Sequence, residues 1–229
     1  MRYLLVGITL LSQSIGYSQY QSWVGADLSF KPIKKTKVEL GVQQRMNGIN
    51  SWNRTFLSGK LNYKVFPGVS FFGGYRFGIS PNPQSAIDLK TITYRHRTAL
   101  GIEINPIDWI NDKSRLSFGI NGQWQWSQSK FNRDRKVIRT KISVKYDIND
   151  FPLSPFVNWE YFYDKTRDIT YMENEILITG GTSAFRSFGG FAVELPKSQT
   201  IELAIGRRKN YLSNQVNWII DLNYSLSIK

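Results

Sequence analysis

The chain has no cysteine and a single histidine, His96. Without cysteine there is no disulfide, no thiolate metal or redox centre, and no lipid-modified cysteine to anchor an exported chain. One histidine leaves carboxylates as the only numerous metal ligands. No acidic run has the spacing of a calcium loop, so neither a metal nor a cofactor is expected. Long apolar runs are missing as well. The stretch from Tyr3 to Leu11 is far shorter than the about 20 residues a membrane-spanning helix needs, and no later segment approaches that length. If this chain crosses a membrane, it crosses as strands.

What is present is an export signal followed by alternation. Arg2, the apolar stretch to Leu11 and the polar segment ending in Gly16-Tyr17-Ser18 have the form of a cleavable signal peptide, so the mature chain is expected to begin at Gln19. From Trp23 onward apolar residues recur at every second position, the pattern of strands that face two media. Val216, Trp218, Ile220, Leu222, Tyr224, Leu226 and Ile228 fall on one face, and Gln215, Asn217, Asp221, Asn223, Ser225 and Ser227 on the other. Closing such strands into a barrel pairs every backbone group without water. The formal net charge of +13 becomes +12 once Arg2 leaves with the signal. In an exported protein this balance points to anionic lipid head groups or an anionic solute rather than nucleic acid.

Alternation and turn residues together give eleven strand candidates, from Trp23–Lys31 to Gln215–Ile228. The expected architecture is all-β: a single closed antiparallel transmembrane β-barrel of about 10–12 strands over residues 19–229, preceded by a signal peptide over residues 1–18. Because single-chain bacterial barrels have even counts, either the first candidate lies outside the wall, giving ten strands, or the segment around Asn174 to Gly180 hides another, giving twelve. Phe66-Pro67-Gly68, Asn149 to Ser154 and Pro196 to Gln199 are short connections, whereas Ile79 to Lys90 and Asp164 to Ala184 are long. Short turns are expected in the periplasm and long loops outside. Tyr63, Tyr75, Tyr94, Trp124, Trp126, Trp159, Tyr161, Trp218 and Tyr224 share the outward parity, as in the aromatic girdles of membrane barrels. Gly73-Gly74 and Gly189-Gly190 read as bends or close packing within strands.

The opposite parity holds Arg45, Arg76, Arg95, Arg97, Arg139, Arg186 and Arg208 toward the long-loop end, with Asp27, Glu160 and Asp221 as acidic partners. Glu39, Glu103, Glu194 and Glu202 fall toward the other rim. Arginine paired with carboxylates is the usual filler of small barrels. A belt of guanidinium groups in a narrow aqueous space also coordinates phosphate, sulfate or carboxylate groups. No catalytic residue is assigned. His96 falls on the outward parity with Thr98, and a His-x-Thr pair is the one constellation with an acid-base residue beside a hydroxyl.

Taken in order, Trp23, Gln43-Gln44-Arg45, Gly74-Tyr75-Arg76, Arg95-His96-Arg97, Trp159-Glu160-Tyr161-Phe162, and Phe185-Arg186 with Gly189-Gly190 resemble a family of Gram-negative outer-membrane barrels known only as a domain of unknown function. The resemblance spans almost the whole mature chain. It implies location in the cell outer membrane and a barrel, and no activity. A terminal Lys229 departs from the aromatic ending that many such barrels present to the assembly machinery. The reading is therefore a monomeric outer-membrane barrel, either structural or a narrow pore for small anionic solutes, with outer-membrane lipids and the barrel-assembly machinery as partners. A lipid-modifying barrel enzyme using His96 and Thr98, and a soluble exported β-sandwich with a basic binding face, are the alternatives.

Overall fold

The alternation becomes eleven strands in sequence order, β1 (Gln19–Phe30), β2 (Thr36–Asn47), β3 (Ser51–Phe66), β4 (Val69–Pro81), β5 (Ile92–Ile104), β6 (Leu116–Ser129), β7 (Asn132–Tyr146), β8 (Leu153–Met172), β9 (Glu175–Leu195), β10 (Gln199–Asn210) and β11 (Val216–Ile228). One helical turn, α1 (Ile107–Ile110), sits between β5 and β6. The computed structural model describes residues 19–48, 51–81, 92–110, 115–129, 132–148, 151–172, 175–211 and 213–228. The expected signal peptide lies outside these residues. Each strand pairs with its sequence neighbours, and β1 closes on β11, so the sheet is one closed barrel and not a two-sheet sandwich.

Neither ten nor twelve strands is correct. All eleven candidates are in the wall, and an odd meander brings the first and last strands together running the same way. β1 and β11 therefore pair in parallel, from Gln19↔Asn217 to Phe30↔Ile228. The segment from Asp164 to Ala184 is not a loop and hides no separate strand. It extends β8 and β9 into a long hairpin whose register runs to Met172↔Glu175, past irregularities at Phe162/Tyr163 and Asp164/Asp168.

Two rims follow from this order. The turn rim carries the β1–β2, β3–β4, β5–β6, β7–β8 and β9–β10 connections, and the hairpin rim carries the other five. At the turn rim, Gly68 has φ 73°, which its lack of a Cβ allows in a two-residue connection, while Lys197 and Ser198 take φ 62° and 57°. Outward positions carry the apolar residues: Leu57, Leu61, Leu100, Phe191, Leu203, Ile205 and Ile220 are all about half exposed or more. Tyr63, Tyr75, Tyr94, Trp126, Trp159, Tyr161 and Tyr224 are exposed on the same face, whereas Trp124 and Trp218 are partly covered.

The interior is not wholly polar. Trp23 on β1, Ile219 on β11, Ala204 on β10 and Phe188 on β9 pack into one buried cluster, with Phe156 of β8 against it. These residues lie on consecutive strands around the β1–β11 junction. Parallel pairing is slightly weaker per residue than antiparallel pairing. An apolar patch on the inner wall across that junction adds burial where the backbone ladder gives least. Asn223 also donates to Asp27 across the junction, at 2.8 Å.

Candidate anion site inside the barrel

Successive residues of a strand point to opposite faces, so once the apolar residues face outward the charged ones between them face inward. They line two cavities. A hairpin-side chamber of about 320 Å³ is bounded by Arg45, Arg54, Arg76, Arg95, Arg97, Arg135, Arg139, Arg186, Arg208 and Lys141, against three carboxylates, Glu160, Glu202 and Asp221. A turn-side chamber of about 670 Å³ sets Lys37, Lys60, Arg76, Arg97, Arg139 and Lys141 against Asp27, Glu39, Glu103 and Glu202. Arg76, Arg97, Gln125, Arg139, Lys141, Glu202 and Asn223 border both chambers and form the waist between them.

The acids are used unequally. Glu160, only 6 % exposed, accepts from Arg139 and forms an ion pair with Arg186 at 2.7 Å, and so ties β7, β8 and β9 together from inside. Asp164 accepts from Arg135, its Nε at 2.7 Å. In the turn-side chamber Lys60 reaches Glu39 at 3.7 Å and Glu103 at 3.3 Å. Lys145 meets Glu194 at 3.2 Å. Asp27 pairs with an amide, Asn223, rather than with an arginine. Asp221 has a buried Oδ1 with no hydrogen-bond partner.

Among the described residues, Arg45, Arg54, Arg76, Arg95, Arg97 and Arg208 make no ion pair. Aromatic faces and neutral groups hold four of them instead. Arg45 Cζ lies 3.7 Å from the Trp23 ring centre and 4.7 Å from that of Phe56, and its Nε and Nη2 donate to Gln43 at 2.9 and 2.8 Å. Arg76 and Arg54 also approach Phe56, at 5.3 and 5.7 Å. Arg97 Nε donates to Ser127 at 3.0 Å. Arg186 adds Phe162 at 4.4 Å to its Glu160 contact. Cation–π contact of this kind stabilises a guanidinium without using its in-plane N–H groups, although Arg45 gives two of them to Gln43.

All seven arginines of the sequence-level belt border the hairpin-side chamber, and of their three acidic partners only Glu160 pairs with any of them. Sequence reasoning missed Arg54 and Arg135, because β3 and β7 begin earlier than their alternation does. It also passed over Trp23, Phe56 and Phe162, which share parity with the inward Asp27, Lys60 and Glu160 and were available by that rule. His96 lies exposed on the outer face. Its Nδ1 is 2.5 Å from the Tyr75 hydroxyl and its ring 5.2 Å from that of Phe77. Thr98 is exposed two residues on, and no described hydrogen bond joins it to His96. No group of three or more His, Asp or Glu residues suited to a metal occurs among the described residues. Neither a family model nor a curated protein matches this sequence.

Proposed function

We propose that this chain is an outer-membrane β-barrel whose interior admits small anionic solutes from one rim and passes them through a narrow waist. The membrane part of the reading is supported by the outer face. On β11 it runs from Trp218 to Ile228 without a charged residue, ten residue-to-residue steps along the strand. At about 3.3 Å per residue and a tilt near 40°, that length covers about 25 Å, the height of the apolar band of outer-membrane barrels. Aromatic residues lie toward both ends of this band, Trp126, Tyr161 and Tyr94 near the hairpin rim and Tyr63, Tyr146 and Tyr224 near the turn rim. The export signal and the resemblance carried by Arg95-His96-Arg97 and Trp159-Glu160-Tyr161-Phe162 agree with it. The β8–β9 hairpin runs on past its pairing with β7 and β10, and long extensions are typical of the outer side of such barrels, so in this reading the arginine-lined chamber faces outward and the turn rim is periplasmic.

The observation that carries the solute reading is the set of six arginines with no ion pair among the described residues, around a chamber with ten cations and three carboxylates. Such a cavity attracts anions and repels cations. The test is single-channel conductance of the refolded protein in a planar bilayer under a salt gradient. A steady current whose reversal potential shows anion preference supports the reading, and a cation-preferring current refutes it. A folded barrel that passes no current favours a second reading, a structural barrel closed by the Trp23, Phe188, Ala204 and Ile219 cluster and the Arg139–Glu160–Arg186 bridge.

A further inference from the structure

Strand register places arginines directly opposite arginines three times: Arg45↔Arg54 on β2 and β3, Arg76↔Arg97 on β4 and β5, and Arg208↔Arg186 on β10 and β9. Like charges directly opposite on one face of an antiparallel pair destabilise it. The three pairs line the same chamber, and Arg45 lies within electrostatic reach of Arg76, Arg97, Arg186 and Arg208. Within the described residues, Glu160 alone forms an ion pair with a member of these pairs, Arg186, while Asp27 lies within electrostatic reach of Arg76 and Asp221 of Arg45. We propose that the hairpin-side chamber is a discrete binding site for an oxyanion with two or more charges, of the phosphate class, coordinated by Arg45, Arg76, Arg97 and Arg208.

The division of labour follows from how each guanidinium is held. Arg139 and Arg186 are both ion-paired with Glu160 and serve the wall. Arg45 rests on Trp23 and donates to Gln43, Arg76 rests on Phe56, and Arg97 is fixed through its Nε by Ser127; all three line the chamber. Trp23, Phe56 and Ser127 are positioning residues. The four arginines come from β2, β4, β5 and β10, strands on different sides of the chamber. That suits tetrahedral oxygens better than the flat edge of a carboxylate, and a monoanion would leave most of the repulsion in place.

The inference rests on reading the chamber as anion-handling, and its test separates the two. The full chain, folded in neutral detergent, is titrated calorimetrically with inorganic pyrophosphate, inorganic phosphate and acetate at physiological ionic strength. Pyrophosphate is expected to bind saturably, phosphate more weakly and acetate not at all. Arg76→Gln and Arg97→Gln should each weaken pyrophosphate binding about ten- to a hundredfold, the loss of one or two charge-assisted hydrogen bonds. Arg207→Gln, an exposed outward residue opposite Trp218, should leave it unchanged. Should the chamber variants fail to fold, the wild-type protein still decides the matter, because a specific ligand raises the unfolding temperature and acetate at equal ionic strength does not. Pyrophosphate binding in a barrel without anion-selective current would uphold the site and remove the passage. Anion-selective current from a protein that millimolar pyrophosphate neither binds nor stabilises would overturn the site and leave the passage standing, and so would equal weakening by Arg207→Gln.

Discussion

Replacing Glu160 with alanine tests whether the interior bridge stabilises the barrel. Glu160 is 6 % exposed and is the shared ion-pair partner of Arg139 and Arg186. Removing one partner of a buried ion pair costs about 3–5 kcal/mol, because the charge left behind has lost both its counter-ion and its water. Here the stranded arginines keep 22 % and 12 % of their side-chain surface open, so chamber water recovers part of that loss and about 2–4 kcal/mol is expected. At about 2–4 °C per kcal/mol for a chain of this size, the unfolding temperature should fall by about 4–16 °C. The assay is a heating series in one detergent, reading the conversion of the fast-migrating folded band to the unfolded band on a gel. Glu160→Gln, which keeps an acceptor and loses the charge, should fall between alanine and wild type. Lys37→Ala, which breaks the more exposed Lys37–Glu39 pair at 2.8 Å, should shift the midpoint by no more than about 1 kcal/mol allows. If Glu160→Ala unfolds at the temperature of the Lys37 variant, the bridge carries no stability and the reasoning fails.

Two neighbour comparisons test the wall itself. A Cβ at Gly190 would lie 2.2 Å from the Leu203 carbonyl oxygen and 2.8 Å from the Ala204 Cα, backbone atoms that cannot turn aside, whereas at Gly189 the nearest atom is a Val157 methyl at 3.8 Å. Gly190→Ala should therefore cost at least about 1–3 kcal/mol or prevent assembly, with Gly189→Ala close to wild type on the same heating series. Ile219 is fully buried inside the barrel and Ile220 is 49 % exposed outside it. Ile219→Ala should cost about 2–5 kcal/mol and Ile220→Ala under about 1 kcal/mol, and equal losses would mean that β11 is assigned the wrong faces.

The strands that could be read from sequence are those whose two faces meet different surroundings. Val216 to Ile228 alternates almost throughout, and its parity holds along the strand. Ile219 interrupts it. In the run Trp218-Ile219-Ile220 the middle residue has the chemistry of the outer face and the parity of the inner one, and only Trp23, Phe188 and Ala204 from three other strands explain it. The outer halves of β8 and β9 were illegible for a different reason. Past Asp164 and Ala184 these strands pair only with each other, so no neighbouring strand fixes which side faces the interior, and Asp168 to Met172 reads as loop while its backbone pairs with Glu175 to Thr179. The parallel closure was beyond reach because β1 and β11 meet from opposite ends of the chain. No local turn announces that they are neighbours.

The chamber shows most clearly where parity stops being informative. Alternation puts Arg76 and Arg97 on the inner face, but which residue each one faces is set by register, here Val69↔Ile104 through Pro81↔Ile92. A slip of two residues would keep every side chain on its own face. In one direction it would set Arg76 opposite Ala99 and Arg97 opposite Gly78, removing the repulsion without moving any apolar residue inward. The same freedom existed for Arg45 and Arg54 and for Arg186 and Arg208. Three facing pairs around a single cavity are therefore not a by-product of the hydrophobic pattern. They concentrate positive charge in one chamber, at a cost to the pairing of six strands that its three carboxylates only partly offset. A dianion placed among them removes that cost, so the stability of the empty barrel and its affinity for an anion should oppose each other at these positions.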